Sequence, residues 1–465
     1  SGDNSNRRRE RSEAGNLMIR NLRWYIVALL TLVTTINYLD RQALSVAQVV
    51  LEKELGITDA QYGDIVAAFL VAYGVFHPLA GRVVDRIGSR MGLTLAFIWW
   101  SLASVGHAFA SGARSFAAAR FLLGVGEAGN FPAAIKTVGE WFPAKERALA
   151  TGILNVGTGV GAMLAPPVVG AIIYYLDWRA AFLLTGAIGG LWLIPWLLLA
   201  RKPEKHPLIT PEELAYIRAG QVDQPVEAAE TPKRGVWREA LGTRQLWALM
   251  AARLLSDPVW LFFSFWIPKY FKAERGFDLK DIALFVWLPF LAADFGSIAG
   301  GWFSSFLIGR GWPVLKARKT ALCCSASLMP VAILSVYVES WQAAIACISV
   351  AAFAHQSWSA STLTLPSDIF PKRMVATCYG CAAMMGVMGG AVTQSIVGRL
   401  IETFGYTPVF TVAGCLHPIG ALTVVLVVKA AWSDKSGQAS PPELLHDDDR
   451  SSDTLVSPAA SDRSA

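Results

Sequence analysis

The stretch RWYIVALLTLVTTINYLDRQALSVA, from Arg23 to Ala47, begins as a membrane helix and then places Asp40 beside Arg41. About 20 consecutive apolar residues are needed to cross a bilayer as helix. The simple reading ends the membrane before the charged pair, leaving it at a helix end in water. The apolar sequence resumes, however, with ALSVAQVVL. The pair is then inside the span, and ionisable groups at membrane depth face a bundle interior or a water-filled path rather than lipid.

The rest of the chain repeats the apolar pattern. Of 465 residues 54% are hydrophobic and only 16% charged, with a mean hydropathy of +0.41, which excludes an ordinary soluble protein of this length. Twelve segments are long and apolar enough to span: 24–47, 60–82, 91–110, 114–139, 147–173, 178–200, 244–270, 281–308, 318–338, 341–364, 373–398 and 407–430. The expected fold is an all-α polytopic membrane protein with twelve transmembrane helices in two six-helix bundles, 23–200 and 244–431. A basic, disordered arm (1–22), a cytoplasmic linker (201–243) and a disordered polar tail (432–465) complete the organisation. The first run is too long for a removable signal peptide.

Lys and Arg concentrate on the cytoplasmic side of membrane proteins. Here they crowd the arm, the turn after span two (Arg82, Arg86, Arg90), the turn after span four (Lys145, Arg147), the linker, and KARK from Lys316 to Lys319. Both termini are therefore expected inside. The loop after span seven, with Lys269, Lys272, Arg275 and Lys280, runs against the trend. The net charge of +6 follows from topology and points to no nucleic acid. The six cysteines lie in or beside apolar spans without zinc-like spacing, as small core residues do. In the linker, TPEEL (Thr210 to Leu214) reads as a capping box with proline at the first helical position, hence a short surface helix.

One fixed offset carries Phe142-Pro143 onto Phe370-Pro371, Gly152 onto Gly380, Gly161 onto Gly389, Gly170 onto Gly398, Phe182 onto Phe410 and Gly186 onto Gly414. The bundles are thus structural repeats, and repeat-built transporters bind substrate near the midplane between their halves. The same offset sets Glu127 opposite His355. Span one runs outward, which puts Asp40 and Arg41 in the outer half; span four runs inward, with Arg120 at similar height and Glu127 deeper. At about 1.5 Å rise per residue, Arg120 and Glu127 stand roughly 10 Å apart on one face, suited to lining one cavity. Gly124, Gly126 and Gly129 permit close helix approach. Arg253, Asp257 and Asp294 are also embedded, the first two at i,i+4, where they either neutralise each other or line the path. His77, beside Pro78 near the inner end, reads as structural.

GRVVDRIGSR (Gly81 to Arg90) resembles the loop signature of the major facilitator superfamily, and its glycines and alternating charges suit a tight turn that gates the inner side through Asp85, Arg86 and Arg90. RFLLGVGE (Arg120 to Glu127) is similar to that superfamily's fourth-helix motif. GTGVGAMLAPPVVG (Gly157 to Gly170) is similar to its fifth-helix motif, with Ala165 where glycine is commoner. The second-half counterpart of the loop, GGWFSSFLIGRGW, is degraded. More narrowly, LRWYIVALLTL, INYLDR, EWFPAKERALATG, NVGTGVGAMLAPP, DPVWLFFSFWIP, FLAADFGSIAGGW and FAHQSWSA resemble the anion:cation symporter family, the last three its bacterial hexuronate transporters.

That resemblance implies proton-coupled import of galacturonate, glucuronate or a close sugar acid across the bacterial inner membrane. It implies functional roles for Arg41, Arg120 and Glu127, with Asp40 as a second protonatable group, and substrate contacts at Tyr38 and Thr158. The chemistry agrees: an arginine fork matches a carboxylate. Asn37, Tyr38, Tyr73, Asn155, Thr158, His355 and Gln356 suit sugar hydroxyls, each serving equally well as interhelical glue, and Trp260 offers the ring a face. The expected partners are a sugar-acid anion, protons and lipid, with no nucleic acid, no metal, no cofactor beyond the proton gradient, and a monomeric chain. Competing readings are a symporter for an aldonate or aldarate and an organic-ion efflux transporter. No nucleophile with a base and no GxxxxGK[ST] loop supports an enzyme.

Overall fold

The computed structural model describes residues 18–219, 235–277, 281 and 284–428. The expected disordered tail, and the arm up to residue 17, lie outside these residues. Among the described residues the chain is helical, the one β-type contact being a bridge between Ile19 and Ile209.

Span one is a single helix, Leu22–Leu55, so Asp40 and Arg41 sit in its interior and not at an end. Among the described residues, ten helices are long and apolar enough to cross a membrane. The two further expected spans are Trp341–Ile369, carrying His355, Gln356 and a run of Ser and Thr, and span four. Contrary to the continuous helix read from sequence, span four is broken into Ala113–Glu127 and Asn130–Trp141. The cause is local. Gly126 O accepts from the N–H groups of both Ala128 and Gly129, a turn tighter than α-helix. The chain then resumes with Pro132 in the first turn, where a missing N–H costs nothing. Glu127 is therefore the last residue of a helix. Gly124 meets the backbone of Phe69 and Tyr73, and Gly126 meets Trp99 and Trp100, leaving no room for a Cβ. The helix of span eight from Leu288 to Gly309 follows a turn at Val286 and Trp287, with Asp281, Leu284 and Phe285 helical before it.

Each half has its own apolar core. Phe97, Trp100, Trp141, Trp192 and Trp196 fill the first, and Phe262, Phe263, Tyr270 and Phe410 the second. The halves meet along two seams, span two (Asp59–Ile87) on span eleven (Val375–Phe404) and span five (Ala144–Tyr175) on span eight. Backbone touches backbone there. A Cβ at Gly81 would strike Ala376, at Gly380 His77, at Gly152 Ser297, and at Gly301 Ala148. All these approaches lie toward the end of the bundle where span one begins and the basic turns gather, here called the basic end.

The linker is not a free tether. Thr210 caps the helix Pro211–Ala219 as expected, accepting from Glu213 N at 3.2 Å. Glu213 does not close the box on Thr210. Its carboxylate instead accepts from the backbone N–H groups of Leu22 (2.9 Å) and Arg23 (3.1 Å), the orphan donors that open span one, and pairs with the Arg23 guanidinium at 2.9 Å. Glu239, on Val236–Leu241, binds Arg373 through two bonds of 2.7 and 2.8 Å. At the opposite end, Arg275 departs from the charge rule because it is structural: it donates to the carbonyls of Ser335 and Glu339.

Candidate functional site

Arg41 stands at the centre of a polar pocket in the first half. Its Nε and Nη2 both donate to one carboxylate oxygen of Glu127, at 3.0 and 2.6 Å. Its guanidinium carbon lies 4.6 Å from the ring centre of Tyr38, 4.5 Å from Tyr73 and 4.9 Å from Phe69, a box of π faces that suits a delocalised cation. The pair is lopsided, since the Arg41 side chain is 20% exposed and that of Glu127 0%. Arg41 is the member a solute can reach.

The break in span four creates this geometry. Glu127 ends its helix and meets a cation from span one, although the spacing along span four had suggested only cavity lining with Arg120. Arg120 donates through Nη1 to the Arg41 carbonyl at 3.0 Å. Its Nε and Nη2 are buried without a hydrogen-bond partner among the described residues. Buried donors left unmade cost about 1–3 kcal/mol each. Such a concentration of unspent valence beside a reachable arginine marks a ligand site.

Asp40 is placed differently from the expectation that it lines water beside Arg41. It is 1% exposed and turned into the first bundle, where it accepts from Ser104 on span three at 3.2 Å. Adjacent positions on a helix point about 100° apart, so two neighbours cannot share one wall. His77 is likewise packed inside, its Nδ1 at 2.7 Å from the Tyr73 carbonyl and its ring edge-on to Tyr73.

From the first half, Asn155 of span five crosses the seam to Gln356 at 2.8 Å and to Ser297 at 3.2 Å in the second. Thr158 spends its hydroxyl on the Asn155 carbonyl. In this conformation these groups act between helices. Trp260 stacks on His355 with centroids 5.2 Å apart and planes 10° apart, so one of its faces is covered. His355 in turn bonds His417 of span twelve at 3.0 Å, a residue the sequence reading passed over. Arg253 and Asp257 pair with each other at 2.9 Å.

The basic end is held shut by two carboxylates. Asp85 accepts from Lys136 Nζ (2.8 Å), from the backbone N–H groups of Ala376 (3.3 Å) and Thr377 (2.8 Å), and from the Thr377 hydroxyl (2.6 Å). It thus crosses from the first half to the positive N-terminus of span eleven. Arg86 and Arg90 were expected to share this role. Arg86 is exposed, and Arg90 donates within its own half to the Leu197 carbonyl. The second carboxylate is Asp368 at the end of span ten, bridged by Arg147 of the first half (3.0 Å) and Arg318 of the second (2.8 Å). Arg318 is wholly buried and also donates to Ser304 and to the Ala144 carbonyl. Replacing Asp85 by Asn keeps one acceptor but removes the charge that holds Lys136 and the helix end. Transport in Asp85→Asn is expected to slow about tenfold, as loss of roughly 1–2 kcal/mol of charge-assisted bonding would give, with ligand affinity nearly unchanged; separate uptake and equilibrium-binding measurements check this.

A two-halved helical bundle with a reachable, caged cation at its centre and charge clamps closing one end defines a multi-pass membrane transporter. The model of the Major Facilitator Superfamily matches residues 30–334. The chain belongs to that superfamily of transporters. It is 36% identical over 413 residues to the hexuronate transporter of Escherichia coli strain K12, covering 88% of this chain and 95% of that one. It is 38% identical over 313 residues to the galacturonate transporter of Dickeya chrysanthemi, covering 67% and 90%. Among solved structures it superposes on the proton:xylose symporter bound to 6-bromo-6-deoxy-D-glucose with a TM-score of 0.67, at 17% identity over 87% of this chain and 96% of that chain.

Proposed function

We propose that the chain is a proton-coupled symporter that imports hexuronates, galacturonate or glucuronate, across the bacterial inner membrane by alternating access, as a monomer with both termini and the basic end in the cytoplasm. The observation that carries this reading is the Arg41–Glu127 pair, with a reachable cation and a buried acid. A substrate carboxylate competes with Glu127 for the Arg41 fork. When the anion takes Arg41, Glu127 is left buried without its cation, and a proton neutralises it. When a proton binds first, Arg41 is released for the anion. Each ligand therefore favours the other, and the linkage is reciprocal. Arg120 supplies two more unspent donors to the same carboxylate. Tyr38, Tyr73 and Asn37 stand close enough to Arg41 and Glu127 to meet the hydroxyls, and no cofactor beyond the proton gradient is required.

Closed clamps at Asp85 and Asp368 fit a conformation whose opening faces outward, ready to receive substrate. The curated relatives support a sugar acid over a neutral sugar, and the hexuronate over an aldonate or aldarate, the alternative reading. Uptake of labelled galacturonate into proteoliposomes, competed by glucuronate, galactonate, galactarate and galactose, tests the assignment. Competition by glucuronate alone among these is expected. Competition by galactonate or galactarate but not glucuronate moves the substrate to the alternative class, and competition by galactose removes the carboxylate from the recognition.

A further inference from the structure

Span eight meets span five through a ladder of three rungs on one helix face. Gly301 lies against Ala148, and Ser297 donates to the Gly152 carbonyl (3.1 Å) while accepting from Asn155 (3.2 Å). The outermost rung is Asp294, whose two carboxylate oxygens occupy the space where a side chain on Gly159 would stand. The first two rungs are apolar or fully paired. Asp294 has no hydrogen-bond donor and no cation in contact among the described residues, and it is only partly buried.

The neighbouring elements offer it no counter-charge. On span five the charged groups are Lys145, Glu146 and Arg147, all at the basic end. On Val314–Leu328 of span nine, Lys316, Arg318 and Lys319 lie at that same end, with Cys323 and Cys324 as further titratable groups. On span ten the groups are Cys347, His355 and Asp368. Gly296 touches Phe353 and Gly300 touches Ser357, so His355 stands about one turn deeper than Asp294, where it is engaged by His417. Arg310 follows span eight at its far end.

We propose that Asp294 is a proton-binding residue on the seam between the halves, and that the outer reach of spans five and eight closes only when its carboxylate is neutral. This rests on the alternating-access reading above. On that reading the two helices part beyond Gly159 while the basic end is shut, which accords with the partial exposure of Asp294. To open the basic end, the helices must close beyond Gly159, and that closure encloses a side chain that has no partner. An unpaired charge enclosed there is strongly disfavoured. A proton taken from outside water, forming one O–H bond on the carboxylate, removes that obstacle; it leaves to inside water once the opposite face of the seam parts. Asp294 would thus add one coupled proton to that of Glu127.

Two measurements on the full chain in proteoliposomes decide this. Reversal potentials for galacturonate flux give protons per sugar acid, and Asp294→Asn should carry one fewer than the parent while Asp294→Glu keeps the parent value. Spin labels at Tyr174→Cys and Trp287→Cys, on a cysteine-free background, report the outer ends of spans five and eight. The parent distance should shorten as pH falls, and in Asp294→Asn it should be short at every pH. Asp294→Ser substitutes if the Asn variant does not fold. An unchanged stoichiometry with a distance that still follows pH overturns the proposal, and so does a raised KM with both readouts intact, which would make Asp294 a substrate contact. If the parent takes up no sugar acid, the functional reading fails while the distance measurement still tests Asp294.

Discussion

Glu127→Gln is expected to exchange external for internal galacturonate at a rate near that of the parent, yet to accumulate it far less when the outside is acidified, keeping only the proton proposed for Asp294. The glutamine amide fills the volume of the carboxylic acid and resembles its protonated form. It releases Arg41 permanently, so the anion binds without waiting for a proton, and no proton crosses with it at this position. The loss is one of coupling rather than of recognition. Counterflow and pH-driven accumulation, measured on the same proteoliposomes, separate the two. If Glu127→Gln accumulates galacturonate in response to pH as the parent does, coupling lies elsewhere, and Asp40, buried against Ser104, becomes the next acid to test.

Arg120→Ala and Arg41→Ala are expected to bind galacturonate more weakly by about 2–5 kcal/mol, a loss on the order of thirty-fold to several thousand-fold, because each removes one partner of a buried charge pair. The two should differ in kind. Arg41→Ala also strands Glu127, which is wholly enclosed, so its fold should be less stable and its residual binding nearly blind to pH. Arg120→Ala leaves the Arg41–Glu127 pair intact and removes, besides the Nη1 bond to the Arg41 carbonyl, two donors that have no partner in this conformation. Lysine at either position keeps the charge without the planar fork and should recover only part of the affinity. Equilibrium binding with thermal stability as a folding control measures all four, and normal affinity in a folded Arg120→Ala removes that residue from the carboxylate site.

How far the molecule could be read from its sequence depended on the range of the interaction. Apolar length set the spans, and the fixed repeat offset set the two halves, because both are written in local pattern. The break after Glu127 was written there too, in GVGEAGNFP, but glycines that allow close packing and glycines that end a helix have the same letters; only the neighbours Phe69, Tyr73, Trp99 and Trp100 distinguish them. The direct bond between Arg41 and Glu127 joins residues on different spans, which spacing along either span cannot report. Arg318 is the plainest miss. It stands in KARK and was counted as a topology charge, whereas it is fully buried on Asp368. The signal was present in the repeat, since the offset that pairs Glu127 with His355 also sets Arg90 opposite Arg318 and Glu140 opposite Asp368. In the first half, by contrast, Glu140 accepts from Ser89 and Arg90 turns to Leu197. The counterpart loop has Pro313 where the first has Asp85 and Lys316 where it has Gly88, which concealed that its arginine remained.

The central claim is that sugar acid and proton bind opposite members of one ion pair, each favouring the other. Calorimetry of galacturonate binding to the purified chain, repeated at one neutral pH in buffers of different ionisation enthalpy, counts the protons exchanged per anion bound. The parent should take up a proton as the anion displaces Glu127 from Arg41, and Glu127→Gln should bind while taking up less than the parent by that proton. Binding by the parent without proton uptake, or uptake unchanged in Glu127→Gln, would contradict it.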